Sequence, residues 1–502
     1  MTTSYITTAI PFVNARPHLG FAYELVLADI LARHRRRRGH DVRFLTGTDD
    51  NSLKNVVAAE REGLTTRALV DRNASAFQTL GPTLRIEADD FIRTSTDVRH
   101  RPAVEHLWRA CAARGDLYRR AWHGRYCPGC EAFVEDDVVV CAEHGVVPEP
   151  VSEENWFFRL SRYREVVRDA IVSGRLAIVP EAARAETLAF LDGEVRDLSV
   201  SRDATRSRGW GIPVPDDPTQ VIYVWFDALV NYVSALGLAG DDTLLQRYWR
   251  DSERVHVIGK GISRFHAVYW PAFLLSAGLP LPDRIFVHGY LTVDGEKISK
   301  SRRTVEVGPV LDDCGADALR WYFARWCPPH TDADVSIDAI CAAYDRDLVD
   351  RLGNLVQRST TLAAKLTEGR VPEPCGTPAA RELEARANEL PARIDAALDA
   401  FAPHEAASAA IELLDAANRY LEAAAPWRVA RTNPHAAATA LYAPLVAARV
   451  AAAELAPFVP DVAAVLAARL GDLQPGASLI AGPPPLPRKR PRSAAPTKEQ
   501  GS

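Results

Sequence analysis

The chain has 502 residues, 47% of them apolar and 25% charged, with a net charge of −5. That length exceeds what one hydrophobic core supports and predicts several domains. The slight acidity excludes a protein that coats nucleic acid with its whole surface but leaves room for a local basic path.

Tyr5 to Ala9 reads as a strand, Asn14 to Pro17 as a loop and Gly20 to Arg38 as a helix. A second strand, Val42 to Leu45, ends in Thr46-Gly47-Thr48-Asp49-Asp50. Strand–helix–strand with polar residues at the strand ends predicts a parallel α/β sheet whose ligand lies beyond the carboxyl ends. Any Rossmann-like domain shares that pattern, so it decides no chemistry. From Trp122 to Arg202 the texture changes to short elements around paired cysteines, which reads as an insertion. Strand texture returns at Val221–Trp225 and Val255–Gly259, taken together as the second half of the interrupted sheet. Beyond Val305 the chain turns helical, and from Asp345 to Arg469 Ala, Leu, Glu and Arg recur at helical spacing, which predicts a bundle. The end, from Gly482, has the proline and charge content of a disordered tail. Its Arg488-Lys489-Arg490-Pro491-Arg492 cluster suits either RNA phosphates or plain solvation.

No apolar stretch of about 18 residues is free of charge, so no membrane span is expected. The N-terminus lacks a basic segment ahead of an apolar run, which predicts no signal peptide and a cytoplasmic location. Eight cysteines then point to metal ligands or small buried side chains rather than disulfides. Cys127-Pro128-Gly129-Cys130 is followed by Cys141-Ala142-Glu143-His144. Two ligand pairs, each split by two residues, present four ligands tetrahedrally to one Zn²⁺; a lone C-x-x-C would equally suit a redox dithiol, but the second pair argues against that. Four protein ligands leave no open position, so the expected zinc is structural, a staple for a small insertion.

Two short motifs carry the chemistry: His18-Leu19-Gly20-Phe21 and Lys297-Ile298-Ser299-Lys300-Ser301. Between and around them stand Tyr5-Ile6-Thr7-Thr8, Phe44-Leu45-Thr46-Gly47-Thr48-Asp49, Trp210-Gly211-Ile212-Pro213, Tyr223-Val224-Trp225-Phe226-Asp227-Ala228 and Phe265-His266-Ala267-Val268-Tyr269-Trp270-Pro271. As an ordered set they resemble the methionyl-tRNA synthetases, class I aminoacyl-tRNA synthetases, over the chain to about residue 470. The resemblance implies adenylation of methionine by Mg²⁺-ATP, with Mg²⁺ and ATP as the nucleotide partners, and transfer to tRNA(Met). It places His18, Gly20, Phe21 and Lys300 on ATP, with His18, Lys297 and Lys300 serving catalysis. Asp49 meets the substrate ammonium, and Phe12, Trp225, Ala228, Leu229, Tyr232, Ile262 and His266 line the side-chain pocket, with Phe12 in place of the usual tyrosine. Asn354, Arg358 and Trp427 match positions that read the anticodon. An aromatic pocket suits a thioether, because sulfur–aromatic contacts are favourable.

The fold class expected is therefore α/β, a Rossmann-like parallel sheet interrupted by a zinc-knuckle insertion and followed by an all-α helical bundle. The implied divisions are 1–115 and 216–305 for the two halves of the catalytic domain and 116–215 for the insertion. Residues 306–345 form a lysine-loop and stem-contact region, 346–472 the anticodon bundle and 473–502 the tail. With no RNA-binding domain after the bundle, a monomer is expected.

Four positions depart from the family pattern: Phe21 for a second histidine, Asn51-Ser52 for His-Gly, Gly261 for an aspartate, and Arg302-Arg303 as added charge after the lysine motif. All lie on the nucleotide side, which marks a divergent member or paralogue with slow adenylation. Two further readings stay open: an adenylate-former serving a small-molecule pathway, and a tRNA-binding protein with an impaired site.

Overall fold

The computed structural model describes residues 2–127, 132–134, 138–141, 145–293, 295–297 and 306–489. The chain divides into two compact units. The first holds residues up to 17, 35–81 and 87–288; the second holds 18–34, 82–86 and the chain from 289 onward.

The first unit is built on six parallel strands: β1 (Thr3–Thr8), β2 (Asp41–Thr48), β3 (Asp90–Arg93), β4 (Ala177–Val179), β5 (Glu253–Gly259) and β6 (Arg284–His288). Their spatial order is β3-β2-β1-β5-β6-β4. Tyr5, Ile6, Phe44, Leu45, Val257, Ile258 and Ile285 are fully buried, the continuous apolar run of strands covered on both faces. Strand order reverses between β1 and β5. In an open parallel sheet that switch point, at the carboxyl ends, is where ligands bind. The loop after β1, the Thr48-Asp49 end of β2 and the Lys260–Ile262 turn after β5 all sit there.

Two antiparallel sheets interrupt this core. One pairs Leu117–Cys127 with Ala132–Val134 and Glu149–Phe158; the other pairs Asp217–Ile222 with Ser201–Asp203 and Pro213–Val214. Two sequence expectations change here. Val221–Trp225 is not a strand of the parallel sheet. Its first two residues end an antiparallel strand, and Val224–Leu229 is a short helix after Tyr223. Conversely β4, from within the stretch read as insertion, closes the edge of the parallel sheet against β6.

In the second unit, helix α1 (Leu19–Arg37) carries its first sixteen residues. A small sheet pairs Leu291–Val293 with Glu296–Lys297 and Ala333–Asp334. Helices follow, among them Ala316–Trp326, Asn354–Leu366, Pro378–Asp399, Pro403–Ala424 and Tyr442–Glu454. In Pro378–Asp399 the buried residues are Ala380, Leu383, Ala387, Leu390, Ile394, Ala397 and Leu398, a stripe at helical spacing turned to the bundle core. Among the described residues Pro434–Glu454 is long and apolar enough to cross a membrane, but 61% of its window is buried inside the unit, as in a core helix. Through Lys489 the terminal stretch read as a disordered tail lies against the bundle: Leu479 and Leu486 are buried, and Arg469 donates to the Ile480 and Pro483 carbonyls.

Candidate active site and RNA-binding residues

At the switch point of the first unit, Phe12 bridges Asp49 in parallel register and the Asp49 N–H donates to the Pro11 carbonyl at 3.0 Å. Asp49 is buried, and its Oδ1 accepts from the Asn51 N–H at 3.1 Å. A buried carboxylate held by a backbone donor is ready for an ammonium group.

Aromatic rings extend from there. Phe12 meets Trp225 edge-on at 6.2 Å, with the Lys54 ammonium 4.8 Å from its ring centre. Trp225 stacks flat on Phe265 at 3.7 Å and meets His266 edge-on at 6.4 Å. Tyr232 and His266 are joined through Oη and Nε2 at 2.8 Å, while His266 Nδ1 lies 2.9 Å from the Ile262 carbonyl. Because a carbonyl only accepts, Nδ1 carries the proton and Nε2 accepts from the tyrosine hydroxyl. Burial pushes the His266 pKa down to about 4, so the ring is neutral at physiological pH. Behind it His256, whose Nδ1 lies 2.7 Å from Thr7 Oγ1, is also held well below the usual imidazole value by burial. Ala228 and Leu229 are buried on the same short helix as Trp225. Ring contacts and hydrogen bonds thus link Phe12, Trp225, Tyr232, Ile262 and His266 beside the Asp49 carboxylate, with the Lys54 ammonium against Phe12.

Asn51 was not legible from its neighbours. Its amide donates to Asp227 Oδ2 at 2.8 Å, and Asp227 Oδ1 lies 2.6 Å from His100 Nε2. Both partners are buried. The side chain standing where a histidine is usual therefore braces the helix that carries Trp225. Next to it, burial pushes the Asp50 carboxyl up while Arg93, Ser95 and Thr48 hold its charge.

In the second unit the His18 ring is locked at the mouth of α1. Nδ1 accepts from the Gly20 N–H at 3.1 Å, so the neutral ring carries its proton on Nε2, the donor a phosphate oxygen needs. A Cβ on Gly20 would lie 3.0 Å from His18 Nδ1 and Cε1, which explains a glycine two residues after the histidine. The first turn of α1 has no acidic residue, leaving the positive end of the helix dipole for an anion. Glu306, where description resumes after the lysine motif, bridges His18 antiparallel. The Phe21 side chain is buried and carries no N–H. Lys300 lies outside the described residues, as does the side chain of Lys297.

Asn354 and Arg358 share the helix Asn354–Leu366, and the Arg358 guanidinium lies 5.1 Å from the centre of the Trp427 ring. Trp427 is set by Ala425, at φ 42°, followed by Pro426. Arg358 also pairs with Glu422 at 2.6 Å.

Of the cysteine cluster, Cys127 and Cys141 are buried, and the Gly145 N–H, at φ 64°, returns to the Cys141 carbonyl at 2.7 Å. Cys130 and His144 lie outside the described residues.

Residues 4–145 and 139–360 match the family model described as tRNA synthetases class I (M), and residues 371–476 match the anticodon binding domain of methionyl tRNA ligase. The chain is 40% identical to the methionine–tRNA ligase of Brucella suis over 97% of its length and 96% of that protein's. It is 40% identical to that of Mycobacterium bovis over 97% and 98%. Its fold superposes on Mycobacterium tuberculosis methionyl-tRNA synthetase in complex with methionyl-adenylate with a TM-score of 0.92 and 38% identity, covering 97% of this chain and all of that one.

Proposed function

The chain belongs to the class I methionyl-tRNA synthetases, and from that premise we propose which of its residues perform the two-step reaction. The methionine carboxylate attacks the α-phosphate of ATP and pyrophosphate leaves; a terminal ribose hydroxyl of tRNA(Met) then attacks the adenylate carbonyl and AMP leaves. Catalysis of the first step is positioning and charge stabilisation. Asp49 takes the ammonium. Phe12, Trp225, Ala228, Leu229, Tyr232, Ile262 and His266 take the thioether, and the ring cluster beside Asp49 is the observation that carries the reading, because sulfur packs favourably against aromatic edges. His18 donates from Nε2 to phosphate oxygens at the positive end of α1, with Lys297 and Lys300 supplying charge to the leaving pyrophosphate and Mg²⁺ arriving with ATP.

The departures fall on the nucleotide side. Phe21 has no donor, the Asn51 amide is committed to Asp227, and Gly261 has no carboxylate. Losing one preorganised donor costs about 2.7–4 kcal/mol of barrier, so adenylation is slow relative to a site with both histidines.

Trp427, Arg358 and Asn354 receive the anticodon loop, an aromatic platform beside amide and guanidinium donors for unstacked bases. Trp427→Ala is expected to raise the tRNA KM for charging by about tenfold while methionine-dependent pyrophosphate exchange is unchanged; a normal tRNA KM overturns this assignment.

Cys127, buried at the end of its strand, and Cys141, buried at the start of the turn to Gly145, fit thiolate ligands of a structural Zn²⁺ completed by Cys130 and His144. Metal analysis is expected to find about one zinc per chain, and a metal-free folded protein refutes it. The protein acts as a cytoplasmic monomer in this reading.

A further inference from the structure

Lys54 stands in the first turn of the helix Leu53–Arg61, behind Ser52, whose Oγ accepts from the Lys54 N–H at 3.0 Å. A cation there faces the positive end of the helix dipole, and no acidic residue in that turn offsets it. The next residue, Asn55, is buried and donates to the Asp49 carbonyl at 3.2 Å and the Asp50 carbonyl at 2.8 Å. The cap and these two bonds tie the turn that carries Lys54 to the end of β2, where Asp49 lies.

The Lys54 side chain is half-buried. Its ammonium lies over the Phe12 ring, 4.8 Å from the centre. Among the described residues no carboxylate forms an ion pair with it. An aromatic face attracts a cation without cancelling its charge, so the ammonium is held in place with that charge open to an anion. A lysine with no anionic task would extend into water.

The surroundings name the anion. Phe12 bridges Asp49 in parallel register, so the ring beneath the ammonium belongs to the residue paired with the Asp49 carboxylate. An α-amino acid carries its ammonium and its carboxylate on one carbon. With the ammonium on Asp49, the carboxylate is one carbon away and calls for a cation. His266 is neutral, and the Arg93 guanidinium nearby is committed to Asp50 and Asp71.

We propose that Lys54 binds the α-carboxylate of the amino acid. It holds one carboxylate oxygen while the other forms the bond to the α-phosphorus and pyrophosphate departs with the electron pair; the lysine gives up no proton. Asp49 and Lys54 together then select a free zwitterion, and a methionine analogue without its carboxylate loses affinity through charge rather than size. This rests on the assignment of Asp49 to the ammonium.

The test uses the full chain and calorimetric binding of L-methionine and L-methioninol, which keeps the ammonium and the thioether but replaces the carboxylate with a hydroxymethyl group. Lys54→Met is expected to weaken methionine binding by about 10- to 100-fold and to leave methioninol within about twofold of the parent. Lys54→Arg keeps the charge and restores most of the methionine affinity. In pyrophosphate exchange Lys54→Met raises the methionine KM by the same factor and leaves the ATP KM unchanged. Equal weakening of both ligands makes Lys54 a merely structural residue, and parent affinity for both makes it a solvated one; either result overturns the proposal. A raised ATP KM with a normal methionine KM gives Lys54 to phosphate and overturns it too. Asp49→Asn is expected to weaken both ligands, and methioninol binding at parent strength there overturns the ammonium assignment beneath the proposal.

Discussion

Histidines 256 and 266 are placed where protonation is costly, and that cost links the substrate pocket to folding. An unfolded imidazole takes up its proton below about pH 6.5, whereas folded His266 does so only at about 4 and His256 is depressed as well. The unfolded chain therefore binds more protons between those values. Stability is whole above about pH 6.5 and declines as pH falls towards 4, by about 1.4 kcal/mol per pH unit for each imidazole. The melting temperature is expected to drop between pH 7 and 5, and His266→Asn to make that drop shallower; an unchanged slope in the variant contradicts the assignment. At this scale the sequence was informative about identity and silent about partners. The resemblance singled out Asp49, Tyr232 and His266, and all three are buried. Asn51 was legible only as a departure, because its partner Asp227 is 176 residues away in the chain and no local pattern announces that bond.

The short elements were the hardest to read. Val221–Trp225 is a run of β-branched and aromatic residues, which suits a pleated surface. Yet the chain leaves its antiparallel strand at Ile222, and the Phe226 and Asp227 N–H groups fold back onto the Tyr223 carbonyl to start a helix. Tertiary packing around Phe226 overrides the propensity. Strand β4 has only three residues, too few for period-2 alternation to register. Long helices were legible because their apolar stripes repeat many times. Their ends are where strain is stored. Ala425 holds φ 42° and ψ 53° between the helix Pro403–Ala424 and Pro426, a left-handed conformation that costs an L-residue about 1–2 kcal/mol. Ala425→Gly is expected to stabilise the bundle by about 0.5–1 kcal/mol, read as a rise in melting temperature; a fall would show that the alanine methyl contributes more by packing than it loses in strain.

For the whole molecule, the fold class was legible because independent stretches of one family recur in order along the chain. The packing of the terminal stretch was not. Proline and charge dominate its composition, and Leu479 and Leu486 are too sparse to form a pattern, but each is buried against the bundle, and the Val371 and Leu479 N–H groups close a backbone pairing between 369–371 and 477–479. The proposed function joins a methionine pocket in the first unit to a nucleotide side short of donors and an anticodon-reading bundle. The decisive experiment is methionine-dependent ATP–pyrophosphate exchange, followed by charging with added tRNA(Met), with the parent chain measured beside Phe21→His. We expect exchange specific for methionine, charging of the tRNA, and exchange faster by about 100- to 1,000-fold in Phe21→His. Exchange without charging, or none with any amino acid in either protein, contradicts it.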